Sequence, residues 1–188
     1  MEEWLLREEP RPVKLTVDDF LLLADAGAFD GYGRTELIEG VIVEMAPMRT
    51  RHASLVGDFY YNLRTALKAF GSPLTAMLGP TVKLPPHNAP EPDVVVVQLG
   101  DDRYLPGEAA ALAVEVSVST LRHDLTVKRD IYARAGVPEY WVVDGEANVV
   151  HQFWNPRDGI YAETRVVALA GELASATLPG ILIDATGF

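Results

Sequence analysis

Residues 92–97 have the sequence PDVVVV, and residues 112–117 have the sequence LAVEVS. Short valine-rich runs of this kind are typical of strands buried inside a sheet. Each run carries one carboxylate at or near its end, Asp93 in the first and Glu115 in the second. A buried carboxylate is costly unless it is paired or binds a metal ion. The two runs therefore predict neighbouring strands that carry an acidic site.

Both carboxylates can also be explained without a functional role. Asp93 follows Pro92, and this pair of residues is common in turns. Glu115 would face solvent if its strand lay at the edge of the sheet, although its small apolar neighbours favour a central strand. If the two carboxylates do meet at adjacent strand ends, they suit Mg²⁺ or Mn²⁺, because these hard cations prefer oxygen ligands.

Lys128 is the next candidate, and it falls on a predicted helix that begins with Asp124 as its cap and ends near Ala135. Asp124 and Lys128 are four residues apart, so they share one face of that helix. The ammonium either forms a surface ion pair, worth about 0.3–0.5 kcal/mol, or points at the sheet end to orient a water or stabilise phosphate charge. Glu36 opens a predicted hairpin and is either another carboxylate of the site or an exposed strand residue.

Further residues are candidates for substrate binding. Arg51 and His52 begin the longest predicted helix, and helix N-termini favour anions such as phosphate. Alternatively, His52 is an ordinary surface residue that does not contact phosphate. Ser117 closes the second apolar run, and its hydroxyl either contacts substrate or bonds to backbone in the following turn.

Composition limits the possible functions. The chain has 188 residues and no cysteine, which excludes disulfides, thiolate nucleophiles and cysteine zinc sites. The net charge of −11 argues against a protein that coats nucleic acid without specificity. Ten Lys/Arg and nine Asp/Glu fall between Arg49 and Arg134, so the acidic surplus lies outside this segment. No apolar stretch is long enough to span a membrane, and the acidic N-terminus is unlike a signal peptide, so we expect a cytoplasmic protein with no membrane partner.

The patterns along the chain predict an N-terminal arm over 1–15 and a single domain over 16–188. A capped helix is predicted from Thr16 to about Gly27, then an N-terminal β-hairpin with its turn at Glu39-Gly40, then a helix over 50–70. Strands are predicted over 74–84, 92–98, 111–118 and 140–143, followed by a C-terminal β-meander over 149–183. This order predicts an α/β (α+β) domain with a central mixed β-sheet flanked by helices.

Four stretches occur in an order that resembles a known family. They are ELIEG at 36–40, PDV at 92–94, VEVS at 114–117 and YARAGVPEYWVVD at 132–144. In these stretches the chain is similar to the Uma-type family of bacterial endonuclease-like proteins, which is placed in the PD-(D/E)XK, or restriction-endonuclease-like, superfamily. The resemblance spans roughly residues 16–154, and the stretch over 132–144 is its most specific part.

The resemblance implies a restriction-endonuclease-like core and Mg²⁺-dependent hydrolysis of phosphodiesters. Asp93 matches the motif aspartate, Glu115 the second acidic position and Glu36 the early glutamate of the family. The lysine expected two residues after the glutamate is Ser117 in this chain. Lys128 then resembles the lysine of those relatives in which the helix supplies it.

The leading hypothesis is metal-dependent cleavage of DNA. Asp93, Glu115 and the Val116 carbonyl would hold Mg²⁺ or Mn²⁺, with Glu36 acting through water and Lys128 placing the attacking water. Two alternatives stay open: a noncatalytic nuclease-fold module for binding or assembly, and a hydrolase of RNA or another phosphodiester. A homodimer is expected if both strands of a duplex are cut, since that task needs two sites related by symmetry.

Overall fold

A computed structural model describes residues 11–118 and 120–188. The first part of the described chain contains α1 (Val17–Asp25), β1 (Thr35–Ile38), β2 (Val41–Glu44), α2 (Thr50–Phe70), β3 (Thr75–Leu78) and β4 (Val82–Lys83). Next come β5 (Val94–Val97), β6 (Leu105–Pro106), β7 (Ala110–Ser117), α3 (Leu121–His123) and α4 (Arg129–Arg134). The last part contains β8 (Glu139–Asp144), β9 (Val149–Arg157), β10 (Ile160–Ala168), β11 (Glu172–Ala174) and β12 (Leu182–Asp184). A π-helical segment, Asp124–Lys128, joins α3 to α4.

A six-stranded mixed sheet forms the centre of the fold, in the order β10-β9-β8-β7-β5-β3. β7 and β8 run parallel, and the other neighbouring strands of this sheet are antiparallel. The pairs β1–β2 and β11–β12 form separate antiparallel hairpins. The predicted central mixed sheet and N-terminal hairpin are therefore confirmed. Two strands of the predicted C-terminal meander are β9 and β10, which pair antiparallel, whereas its third predicted strand, over 178–183, does not join this sheet.

Local sequence signals fix the first helices and the hairpin. Thr16 caps α1 in a reciprocal capping box with Asp19. The turn between β1 and β2 places Glu39 and Gly40 at positive φ, 51° and 81°, a region that glycine adopts without strain. α2 ends at Gly71, which is left-handed as expected of a helix stop.

The core lies on both faces of the sheet, because the four valines of β5 are buried and point alternately to the two sides. Val94 and Val96 pack in the cluster that contains Phe59 and Leu63 of α2. Val95 and Val97 pack in the opposite cluster, which contains Tyr132 and Tyr140. Every second residue of a strand points to the same face of the sheet. Asp93 is two residues before Val95, and Glu115 is two residues after Ala113. Both carboxylates therefore lie on the second face, beneath the α3–α4 segment.

Some element predictions were wrong in detail. The α3–α4 segment begins at Leu121, and Asp124 has helical backbone angles, so Asp124 is not its cap. The strand predicted over 74–84 is divided into β3 and β4. The strand predicted over 178–183 is largely turn, and only its end belongs to β12.

Residues 1–10 of the predicted arm lie outside the described residues. At the end of the arm, the Leu15 N–H donates to the Gly40 carbonyl at 3.0 Å. None of the helices in the described ranges is both long and apolar enough to cross a membrane.

Candidate active site

Asp93 and Glu115 lie side by side on adjacent strands. Val94 pairs with Val114 in the antiparallel β5–β7 ladder, so the next pair of positions is Asp93 and Glu115. Both carboxylates are buried, with Asp93 6% and Glu115 4% exposed. The Val116 N–H donates to Asp93 Oδ2 at 2.8 Å, which fixes the Asp93 side chain against β7.

Lys128 enters this acidic pair from the π-helical segment. Its Nζ lies 2.9 Å from Glu115 Oε1 and 3.0 Å from Glu36 Oε2. Glu36 projects from β1 and is fully buried, as is Lys128. The Tyr132 hydroxyl also donates to Glu115 Oε1, at 3.1 Å. The geometry therefore brings a strand, a hairpin and a helical segment together around one ammonium.

The protonation of this cluster follows from its burial. Burial raises the pKa of the Glu115 carboxyl well above its ordinary value; the Lys128 ammonium opposes this shift, and neighbouring carboxylates add to it. Burial by itself would lower the pKa of Lys128, but Glu115 and Glu36 outweigh it and hold that pKa above its ordinary value. One ammonium thus serves two buried carboxylates, and burial pushes Glu115 towards its neutral form.

Asp93 has a different environment from Glu115. His52 Nε2 lies 3.1 Å from Asp93 Oδ2, and Arg34 Nη1 lies 3.5 Å from Oδ1. Burial works to raise the pKa of Asp93, yet His52, the Val116 N–H and Arg34 outweigh it and hold this pKa below its ordinary value. Asp93 is therefore an anion at neutral pH. His52 must donate Nε2–H to it, because an ionised carboxylate only accepts.

A cavity of about 400 Å³ opens beside these groups. Asp93, Glu115 and Lys128 line it, together with His52 and Arg34. The loop between β2 and α2 forms an apolar wall with Met45, Ala46, Pro47 and Met48. Carboxylates, an amine and cationic side chains thus face one open volume, as acid–base or phosphoryl chemistry requires.

The structure does not bring every candidate residue to this cavity. Arg51 donates from Nε to the Gly145 carbonyl at 3.0 Å, so it ties α2 to the turn after β8 and does not line the cavity. The Ser117 hydroxyl is buried and donates to Asp124 Oδ2 at 2.6 Å. Val116 does line the cavity.

Arg34 and Asp124 are lining residues that the sequence argument did not include in the site. Arg34 is two residues before Glu36, and this closeness to a candidate site residue was the one feature of the sequence that could have identified it. The Asp124 carboxylate is buried, and it accepts from the hydroxyls of Ser117 and Thr120. The sequence predicted Asp124 as a helix cap, and these two hydroxyl partners were not part of that prediction.

The donor set is compatible with a hard divalent cation. Within the described ranges, no three His, Asp or Glu side chains are already arranged as a metal-binding group. Magnesium, however, is usually held by one or two carboxylates and several waters. Glu115 Oε2 makes no hydrogen bond to the described residues, and the closest cation to Asp93 Oδ1 is 3.5 Å away. These two oxygens and the Val116 carbonyl are donors of the type that magnesium takes.

Comparisons with known proteins agree with the fold. A family model, Uma2, described as "Putative restriction endonuclease", matches residues 17–186. A crystal structure described as "a putative nuclease belonging to DUF820" from Anabaena variabilis is similar, with a TM-score of 0.69 and 17% identity. The similarity covers 93% of this chain and 96% of that one. At this identity the likeness concerns the fold alone. No curated protein matches.

Proposed function

This chain belongs to the Uma2 family, described as "Putative restriction endonuclease", and we propose that it is a metal-dependent endonuclease that hydrolyses DNA phosphodiester bonds. One observation carries the proposal: the carboxylates of Asp93 and Glu115 and the amine of Lys128 line a single open cavity. They come from positions 93, 115 and 128 of the chain, and a purely structural ion pair would not need to face an open volume.

Asp93 and Glu115 would hold Mg²⁺ or Mn²⁺ with the Val116 carbonyl, and Glu36 would act through water. The cation would supply Lewis acidity and lower the pKa of a bound water. Asp93 suits this task because His52 and the Val116 N–H keep it ionised and fixed in orientation. A bound cation would favour the ionised form of Glu115, as the Lys128 ammonium already does.

Lys128 would position a water or stabilise the charge that develops on the phosphate. Its amine already lies 2.9 Å from Glu115, so it stands next to the proposed ligands. His52 would act through Asp93, because its Nε2 is bonded to that carboxylate. A direct phosphate contact by Arg51 has less support, because its guanidinium is bonded to Gly145 and Asn148.

DNA is the substrate we propose. A homodimer in the cytoplasm is part of the same proposal, since cutting both strands calls for two sites related by symmetry. RNA and other phosphodiesters would be hydrolysed by the same groups, so they are alternative substrates to be compared in the same assay.

Nicking of supercoiled plasmid tests the proposal. Wild-type protein is incubated with Mg²⁺, Mn²⁺ or EDTA, alongside Asp93→Ala and Lys128→Ala. Asp101→Ala is the matched control, because Asp101 is exposed and does not line the cavity. We expect cleavage that depends on the metal, is lost in both site variants and is kept in the control. Each variant is first checked by circular dichroism, and cleavage that survives both site substitutions would rule the assignment out.

A noncatalytic module is the second candidate, and one observation favours it. The carboxylates are already engaged by cationic groups, since Lys128 bonds Glu115 and Glu36 while His52 and Arg34 approach Asp93. Calorimetric titration with Mg²⁺ separates the two candidates. Binding that depends on Asp93 supports the enzyme, and absence of binding at millimolar Mg²⁺ supports the module.

A further inference from the structure

Arg34 is a cation of the cavity whose donors are only partly used. Its Nε donates to Glu91 Oε2 at 3.1 Å, and its Nη2 donates to the Glu91 carbonyl. Nη1 has a long contact of 3.5 Å with Asp93 Oδ1. A guanidinium carries five N–H groups. One N–H on each terminal nitrogen is therefore left without a hydrogen bond to the described residues.

The guanidinium is also held in a fixed orientation. Glu91 accepts from Arg34 on Oε2 and from the Thr81 hydroxyl on Oε1, at 2.9 Å. Both oxygens of the carboxylate that orients Arg34 are thus occupied. The Arg34 side chain is still 34% exposed, and it lines the cavity. Anchored on one edge and open on the other, it presents a preorganised pair of donors to the open volume.

We propose that Arg34 binds a phosphate group of the substrate beside the Asp93 carboxylate. A planar guanidinium binds phosphate through two parallel N–H donors, which an ammonium does not do. The charge is available, because an arginine guanidinium stays protonated in proteins. On a chain of net charge −11, a cation fixed at the cavity also offsets repulsion between the protein and a polyanion.

The competing explanation is that Arg34 only neutralises acidic neighbours. Nη2 lies 3.6 Å from Glu36 Oε1 and Nη1 lies 3.5 Å from Asp93 Oδ1. Both distances are longer than the contacts to Glu91, so Glu91 alone holds the guanidinium firmly. The two explanations differ in what an Arg34 substitution changes: DNA binding in the first, and only metal binding or stability in the second.

This inference rests on the proposed nuclease function, and DNA binding tests it apart from cleavage. Fluorescence anisotropy is measured with labelled 20-base-pair duplex and 20-nucleotide single strand over a range of NaCl, in EDTA and in Ca²⁺. Arg34→Gln removes the charge, and Arg34→Lys keeps it without the planar fork. Arg64→Gln is the matched control, because Arg64 on α2 donates to Thr75 and Ala76 of β3 and does not line the cavity.

We expect Arg34→Gln to bind DNA about 10- to 100-fold more weakly, the range for hydrogen bonds to a charged partner. The slope of log affinity against log salt should fall by about 0.9 on duplex or about 0.7 on single strand. Arg34→Lys should keep the slope and lose affinity, and Arg64→Gln should match wild type.

Other results overturn the inference. If Arg34→Gln binds DNA with the same affinity and the same salt dependence as wild type, the inference about Arg34 is wrong. The nuclease proposal would still stand in that case, provided that the wild-type protein nicks plasmid. Weaker Mg²⁺ binding with unchanged DNA binding would assign Arg34 to charge compensation. Wild-type protein that neither binds nor nicks DNA in any buffer would overturn both proposals.

Discussion

Replacing Lys128 by methionine removes the ammonium and keeps most of the side-chain volume. The ammonium lies within about 3 Å of carboxylate oxygens on both sides, at 2.9 Å from Glu115 and 3.0 Å from Glu36. Glu36 is 0% and Glu115 4% exposed, so water can replace only a small part of the lost interaction. The substitution therefore leaves two buried carboxylates without their common partner.

The expected cost is large. Removing one partner of a buried ion pair lowers the free energy of unfolding by about 3–5 kcal/mol. Domains of this kind are stable by only about 5–15 kcal/mol in total. Lys128→Met is therefore expected to unfold at a much lower urea concentration than wild type. Glu36→Gln/Glu115→Gln/Lys128→Met should recover much of the loss, because no uncompensated charge stays buried.

The cost should also depend on pH, with a definite sign. The pKa of Glu115 is raised in the folded protein, so its contribution to stability is present at low pH and is lost as pH rises through that pKa. Lys128 is the group that opposes this rise, and removing it raises the folded-state pKa further. The difference between wild type and Lys128→Met should thus widen as pH rises through the wild-type pKa of Glu115, by up to about 1.4 kcal/mol per pH unit for each proton, and about pH 5 and about pH 8 are compared.

Urea unfolding followed by tryptophan fluorescence at these two pH values measures the effect. Lys68→Met is the matched control, because Lys68 is exposed near the end of α2 and makes no salt bridge to the described residues. A Lys128→Met protein that stays within about 1 kcal/mol of wild type at pH 8, or whose deficit shrinks as pH rises, would refute the reasoning from burial.

Other predictions concern the frame around the site. Thr16→Ala should cost about 1 kcal/mol of unfolding free energy by removing the cap of α1, and Thr16→Ser should restore it. Leu63→Ala should cost about 2–5 kcal/mol, because Leu63 is 0% exposed beneath the sheet, and the measured value should exceed that of the exposed Leu22→Ala. Glu139→Gln should lower the free energy of unfolding in urea by about 2–3 kcal/mol. The reason is that the Glu139 carboxylate accepts hydrogen bonds from Trp141 and from the Ser175–Thr177 loop. An unchanged urea midpoint would contradict the importance of these bonds.

The arrangement of Asp93 and Glu115 was accessible from sequence because it follows from strand alternation. Uninterrupted valines indicated strands buried on both faces, and two such strands place their carboxylates together when they pair in the observed antiparallel register. Glu36 and Lys128 were named from the same sequence, but their bond was not deducible. Positions 36 and 128 are 92 residues apart, and only tertiary packing joins them.

Other features left no usable signal. Arg34 stands before a short strand, outside any periodic pattern, and its partners Glu91 and Asp93 are more than fifty residues away. The beginning of the α3–α4 segment was misplaced because Asp124 is a typical cap residue, whereas here its carboxylate turns inward to two hydroxyls. Glu139 lies outside the strand predicted over 140–143, and its partners in the Ser175–Thr177 loop are more than thirty residues away.

The π-helical segment Asp124–Lys128 has a consequence for how such proteins are found. It delivers an amine to Glu115 from thirteen positions downstream, whereas the restriction-endonuclease-like pattern that the chain resembles expects a lysine two positions downstream. A genome scan that demands the linear E-x-K spacing passes over this chain, since Ser117 occupies the expected place. A three-dimensional template built from two carboxylates and one amine, indifferent to their order and spacing, would retrieve it.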